Sequence, residues 1–544
     1  MKIFINRKKT FIVLILALLF ALMQTIGYQY SYSYGTTVHT SEFFYNIGLL
    51  STGETVIAII LGILFWFTLL HVLFTILERP IAKDANHSIE IKNYIFFIIA
   101  VLLFIAWIPC FLAGYPGFYN YDSFKQIPQV LYEEVPYSAH HPLLHTLFVG
   151  NIISFGYRIG GTLNDGILLH SIIQMIICAL IFAYFIYYIF KLTGKRWLCV
   201  LAFCYYAFFP PIALFAMSTT KDVIFSLLLQ LCVIYFYEAI KDYSGFFSSK
   251  KKVLRFITVM VLMCLFRKTG IYIVVCMLPF VAVFLKRARA SFFKIFGTII
   301  FCYFIISKSL LLGLSAEEGS PEEALSVPMQ QIARVYHEKG SDSFTNAEKA
   351  LISKGFVFEQ LGNYNPFLSD AIKNYFDYDA IKHNKIDFLK LWLKKGLQYP
   401  KVYMDAFLAN TYQAWYPGTS IMDEPYTHDT YYFSMKMYAG GERDTKAPKL
   451  LDFYEDIASG FSYQKIPLVR LFFSIGAMFW VTLFVTAFAI YKNNRALYLS
   501  MLMVLLCCLT CFLGPISLVR YYLILFYGFP INIGFLLCKE ESLF

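Results

Sequence analysis

The sequence predicts an all-α polytopic membrane protein of about twelve transmembrane helices, and three observations lead there. Of its 544 residues 58% are hydrophobic and only 15% are charged, where a water-soluble domain keeps roughly 25%. Apolar runs near or above ~18 residues, the length that crosses a hydrocarbon core of ~30 Å, recur along most of the chain. Backbone groups in lipid have no water to bond, so such runs must close their hydrogen bonds internally as helices.

The formal net charge of +11 would suggest nucleic acid in a soluble protein. Here the lysines and arginines gather in short loops between apolar runs, the pattern of cytoplasmic loops under the positive-inside rule. The expected partner is therefore the lipid bilayer and not a nucleic acid. All twelve cysteines, from Cys110 to Cys538, lie in or at the ends of apolar segments, and none falls within 314–464. That distribution implies no disulfide framework. Cys508 and Cys511 have CxxC spacing, but they lie inside an apolar run with no second pair and read as small apolar filler rather than zinc ligands.

Taken in order, Lys2, Arg7, Lys8 and Lys9 precede an apolar stretch at 11–28. It is long for a signal peptide and no small-x-small site follows, so it reads as a retained first helix with the N-terminus inside. The loop 29–54 has no Lys or Arg and falls outside. A helix near 55–76 returns to an inner loop with Arg79, Lys83 and Lys92, and one near 94–113 carries the chain out again. The next apolar piece, 142–160, begins at a proline and contains His145, Asn151 and Arg158. If it crossed, Lys191, Lys195 and Arg196 would move outside, so it is expected to lie in the outer interface.

Spans near 165–190, 197–216, 222–240, 253–267, 270–286 and 294–312 follow by the same rule, with inner loops at Lys241–Arg255 and Lys286–Lys294. The turns at 219–222 and 267–270 then face outward. Three further spans, near 467–490, 496–513 and 520–538, return the C-terminus inside. The chain thus divides into an N-terminal transmembrane module, 1–312, with its first outer loop at 114–164; an extracytoplasmic, mainly helical region, 313–464; and C-terminal transmembrane helices, 465–544. The middle region is too long for a connection. It opens with Glu317, Glu318, Glu322 and Glu323, and Leu389, Trp392 and Leu397 recur at helical spacing, which suggests helices lying on the membrane surface. No internal repeat is evident, which weighs against the repeat-built transporters.

Candidate chemistry sits at the outward helix ends. Asp122 follows Tyr119, Asn120 and Tyr121 and precedes Gln126. In a partly desolvated pocket such a carboxylate can act as general base or hold a divalent ion, whereas its bland role is to cap a helix. His141 and His145 share a helix face at i,i+4 spacing behind Pro142. Metal ligation is one reading, and hydrogen-bonding walls of a polar site are the favoured one. Lys221, Arg267, Lys268 and Arg520 occupy three outward turns. They could snorkel to headgroups, or they could converge on a phosphate, which arginine grips bidentately. Gln330 and Arg334 lie within about one helical turn and could reach such a pocket, and Tyr416 could stack on a sugar or a prenyl chain or belong to an interfacial aromatic belt.

An outward acid after an early helix, the corner HHPLLHTL, an interfacial helix ending in glycine and a span running into KLTGKR resemble the first outer loop of GT-C superfamily glycosyltransferases, of the protein-mannosyltransferase and aminoarabinose-transferase type. A poorly characterised bacterial branch is the nearer likeness, carried by PGFYNYDSFKQ, TTKDVIF, RKTG, SVPMQQIAR, NTYQAWYPG and GPISLVRYY in this order, over roughly 94–530. The resemblance implies a cell-membrane enzyme that moves a sugar from a polyprenyl-phosphate donor to an envelope glycan or protein acceptor outside the cytoplasm, with inversion and with Asp122 as base. Asp-Ser stands here where many relatives have Asp-Glu or Asp-x-Asp. No metal ligand set is therefore carried over, a divalent metal stays open, and no other cofactor is expected. A transporter or flippase of a lipid-linked glycan, or an envelope scaffold, remains the alternative.

Overall fold

The computed structural model describes residues 6–34, 49–78, 93–319, 325–418, 441–457 and 462–538. Among them the regular structure is helical, with two isolated bridge pairs and no strand. Among the described residues eight helices are long and apolar enough to cross a membrane: Arg7–Ser33, Thr52–Glu78, Tyr94–Ala113, Leu163–Thr193, Lys221–Lys241, Arg289–Gly313, Arg495–Phe512 and Val519–Leu537. The protein is a multi-pass membrane protein. Lys2, Arg79, Lys83 and Lys92, which the topology uses, and Glu322 and Glu323 of the middle region lie outside the described residues.

Exposure separates outer from inner helices. Thr52–Glu78 leaves Ile57, Leu61, Leu64 and Phe65 open, an apolar face too large for water and suited to acyl chains. Lys221–Lys241 is buried almost all round, as expected of a helix apolar on every side. It packs against Lys250–Phe266, Arg495–Phe512 and Leu523–Leu537 and forms the centre of the bundle.

One expected span is broken. Residues 197–216 form Arg196–Phe208 and Pro210–Ala216, which bend by 58° and make a ninth crossing only if taken together. The cause is local. Pro210 and Pro211 lack N–H donors, and proline pushes the preceding residue out of the helical region; Phe209 is accordingly extended, at φ −74° and ψ 111°. The piece near 467–490 is also interrupted, at Ser474, whose side chain caps Ile475–Tyr491. Leu143–Gly160, the expected interfacial helix, is not among the eight.

The two ends of the bundle differ in chemistry. At one end Lys9 pairs with Glu78 at 2.8 Å, Lys8 donates to the Tyr491 carbonyl at 2.8 Å, Lys191 pairs with Glu238, and Cys538 reaches Leu192 O. The opposite end gathers the segment after Gly114, the turns at 217–222 and 267–270, and the helices of 325–418. These helices enclose their own core, with Met329, Ile332, Phe344, Leu361, Ile372 and Phe388 buried together. The outward stripe of Lys385–Gln398 differs from a simple buried face: Leu389 and Leu397 are exposed, while Leu391 and Lys395 are buried, Lys395 because Glu348 pairs with it at 2.8 Å. Contacts to the loop before Arg520 hold this unit on the bundle, with Ser369 N–H donating to Pro515 O at 2.9 Å and Asn410 Nδ2 to Gly514 O at 3.1 Å.

Candidate functional site

Two loops far apart in sequence are stitched together beneath the site. Phe118 and Ser218 form a parallel bridge; Phe118 N–H donates to Met217 O at 3.2 Å and Thr219 N–H to Phe118 O at 3.0 Å. Thr219 Oγ1 accepts from Asn120 N–H at 2.9 Å, and Ser123 Oγ donates to Thr219 O at 2.9 Å. Gln174, from Leu163–Thr193, donates to Ser218 O at 2.6 Å and fixes the second loop from below. Gly117 makes the close approach feasible. Its φ is +142°, and a Cβ there would sit 2.0 Å from Ser171 Oγ.

Each of the two loops then enters a helix. Tyr121–Gln126 presents Asp122, and Thr220 caps Lys221–Lys241, which presents Lys221 and Asp222 in its first turn. Threonine at that position satisfies an otherwise unpaired N–H, and an acid there meets the positive end of the helix. Arg267 is the extended residue that ends Lys250–Phe266, and Arg520 lies in the 3-10 turn Val519–Tyr522.

These five charged side chains share one buried network. Lys221 Nζ is ion-paired to Asp122 Oδ2. Arg520 grips the same carboxylate with both terminal nitrogens, Nη1 to Oδ2 at 3.1 Å and Nη2 to Oδ1 at 3.3 Å, and its Nη1 also reaches Asn120 Oδ1 at 3.3 Å. Arg267 Nη1 pairs with Asp222 Oδ1 at 3.0 Å, and Arg520 Nε lies 3.8 Å from Asp222 Oδ2. The Tyr521 ring faces both guanidinium groups, 4.8 Å from Arg267 and 5.0 Å from Arg520. Three cations against two carboxylates leave one formal positive charge.

Burial alone would push the Asp122 carboxyl up, but the Arg520 guanidinium and the Lys221 ammonium together hold it well below the usual carboxylate range. His141 is pushed down to about 2, first by burial and then by Lys221, whose Nζ lies 3.4 Å from its Nδ1. His145 is likewise held well below its ordinary value by burial and by Lys221. Both imidazoles are therefore neutral. His145 Nδ1 lies 3.2 Å from Gln126 Oε1, and Gln126 Nε2 donates to Thr146 at 2.8 Å, so Gln126 and the histidines wall the site.

Both oxygens of Asp122 face cations, and His141 Nδ1 faces Lys221; no group of three or more His, Cys, Asp or Glu side chains is arranged for a metal among the described residues.

The structure thus brings Asp122, Lys221, Arg267 and Arg520 together, with Gln126 and His141 beside them. Four other expected residues are engaged elsewhere. Lys268 donates to Ala139 O at 2.7 Å. Gln330 donates to Asn365 O at 2.7 Å, and Arg334 binds Tyr34 Oη at 2.9 Å, Tyr364 Oη at 3.1 Å and Glu338 at 2.7 Å. Tyr416 packs against Gly27 and Gly476, at the junction of Arg7–Ser33 with Ile475–Tyr491. Sequence reasoning passed over Asn120, Asp222 and Tyr521 as site members. Asp222 and Tyr521 directly follow Lys221 and Arg520, and adjacency to those cations was the available signal.

A model for a family of unknown function, DUF6020, matches residues 132–541. The chain belongs to this family. The DUF6020 match takes in Lys221, Asp222, Arg267 and Arg520, while Asp122 lies ahead of it. No curated protein and no solved structure matches the chain.

Proposed function

We propose that the protein is a GT-C-like glycosyltransferase of the cell membrane, one that transfers a sugar from a polyprenyl-phosphate-linked donor to an envelope glycan or protein acceptor outside the cytoplasm. The observation that carries this reading is the convergence of Asp122 with Lys221, Arg267 and Arg520 at one end of the bundle. A donor of this class needs two things in one place: a carboxylate to take the proton of the acceptor hydroxyl, and cations to hold a phosphate whose charge grows as the glycosidic bond breaks. In this reaction the acceptor oxygen bonds to the anomeric carbon from the face opposite the phosphate. The bond from that carbon to the phosphate oxygen breaks, the prenyl phosphate leaves with an added negative charge, and the hydroxyl proton goes to Asp122.

Twelve crossings accompany this reading. They comprise the eight long apolar helices, the bent pair, Lys250–Phe266, Thr269–Phe284 and Ile475–Tyr491. With the lysine- and arginine-rich end cytoplasmic under the positive-inside rule, both termini are cytoplasmic and the site is extracytoplasmic. The charged residues lie at helix ends and not at mid-depth, which favours surface chemistry over transport.

The test is Asp122→Asn in membranes supplied with prenyl-phosphate sugars. A fall in transfer of about 10²–10⁴-fold, the usual worth of a positioned base, is expected. Wild-type turnover in the variant excludes Asp122 as the base, and vectorial movement of intact donor in proteoliposomes without transfer replaces the enzyme reading with transport.

A further inference from the structure

The ion pairs of the site pose a problem for its proposed chemistry and suggest a solution. A general base works best when its proton affinity suits the operating pH, yet Asp122 is held by Arg520 through both carboxylate oxygens and by Lys221 as well. The cations are paired as well, Lys221 with Asp122, Arg520 with Asp122 and Asn120, and Arg267 with Asp222, although Arg267 Nη1 and Arg520 Nε make no hydrogen bond among the described residues. An incoming phosphate that binds Lys221 and the terminal nitrogens of Arg520 takes those contacts from Asp122.

The two carboxylates are not equivalent in this exchange. Asp222 is completely buried, whereas Asp122 and Lys221 keep 9% and 12% of their side-chain surfaces open. Arg520 also lies over the Tyr521 ring, and its Nε is 3.8 Å from Asp222. Lys221 has the longer flexible stem, and a neutral His141 nitrogen lies 3.4 Å from its ammonium as a second acceptor during the swing.

We infer that the resting site is latched by Asp122, and that the phosphate of a prenyl-phosphate ligand opens it by displacing this carboxylate from Lys221 and from part of Arg520. The inference rests on the proposed donor class. Displacement removes cationic partners from Asp122 when the donor arrives and so makes it a competent base only in the loaded site. After transfer, Asp122 carries the acceptor proton and the prenyl phosphate holds the cations. Departure of the product lets Asp122 pair again, and the renewed attraction of Lys221 and Arg520 returns the proton to water.

A latch competes with the ligand, so removing it should tighten binding even as catalysis is lost. Full-length protein in nanodiscs would be titrated with farnesyl phosphate, with inorganic phosphate in a parallel arm. Asp122→Asn should bind farnesyl phosphate at least tenfold more tightly than wild type; unchanged or weaker binding overturns the latch. A gain for inorganic phosphate alone overturns the assignment to a lipid-linked ligand. Asn120→Asp keeps the inference testable if the first variant does not fold. It adds a carboxylate beside Arg520 and should weaken farnesyl phosphate binding about tenfold, and wild-type affinity there also overturns the latch. Turnover is read separately: an Asp122→Asn protein that binds no more tightly but loses transfer leaves the base assignment standing without the latch, while one that transfers normally removes the base assignment whatever its affinity.

Discussion

His141 illustrates how single residues in this site are governed by burial and by one neighbour. An exposed imidazole takes up a proton near pH 6.5, but His141 is pushed down to about 2 by burial and by Lys221, so the folded protein keeps it neutral. The unfolded chain then binds more protons below pH 6.5. Stability is complete above that pH and declines as the pH falls from 6.5 toward 2. Melting of detergent-solubilised wild type at pH 7 and pH 5 should show that decline. His141→Gln, which cannot take up the proton in either state, should flatten it by roughly 1–2 kcal/mol, and an unchanged slope would mean that His141 is charged in the folded protein. Asp122 has the opposite origin but the same sign. Its depressed carboxyl stabilises the fold above the unfolded value of roughly 4 and stops doing so only as the pH drops through its lower folded value. At pH 5 and above the acid sensitivity is therefore a histidine effect.

Elements matter here mainly through how they end. The bridge between Phe118 and Ser218 sets the Asp122 turn against the start of Lys221–Lys241, and it depends on Gly117. Gly117→Ala places a side chain at φ +142° and against Ser171, at a cost of about 1–3 kcal/mol for a backbone conformation that L-residues avoid. The expected outcome is a lower melting temperature with a fall in the proposed transfer, since separation of the two loops moves Asp122 away from a donor held by Lys221 and Arg520. Gly194→Asn is the matched control. Gly194 ends a helix at φ +66° with open space around it, a conformation asparagine tolerates, so the change should cost under about 1 kcal/mol and leave transfer intact. Equal effects from the two variants would remove the special role of the bridge.

At the scale of the whole molecule, polarity is the testable property. The end bearing Lys9, Glu78, Lys191 and Glu238 is opposite the end bearing the Asp122 network and the helices of 325–418. If the basic end is cytoplasmic, an impermeant thiol reagent applied to intact cells should label a cysteine placed at Asp342 and not one placed at Lys250, on a background without native cysteines. The reverse pattern would put the site inside and rule out an extracytoplasmic acceptor. The 325–418 unit also meets the loop that delivers Arg520, through Ser369, Asn410 and Ser517. Its placement is thus coupled mechanically to the cation that grips Asp122.

The sequence by itself determined the class of molecule and where most of its helices run, because hydrophobic run length and loop charge act locally: most expected spans fall on one helix, while 197–216 is bent at Phe209 and 467–490 is interrupted at Ser474. It also singled out Asp122, Lys221, Arg267 and Arg520 as charges stationed where apolar runs end. Pairing was beyond it. Asp122 and Arg520 are nearly 400 positions apart, and only the packing of Lys221–Lys241 at the centre of the bundle brings their turns together. The same packing gave Asp222 a part in the site, turned Arg334 to Tyr34 and Tyr364, and left Tyr416 against Gly27. Local pattern fixes where a charge enters the membrane surface; which charge it faces is decided by helices that meet only after folding.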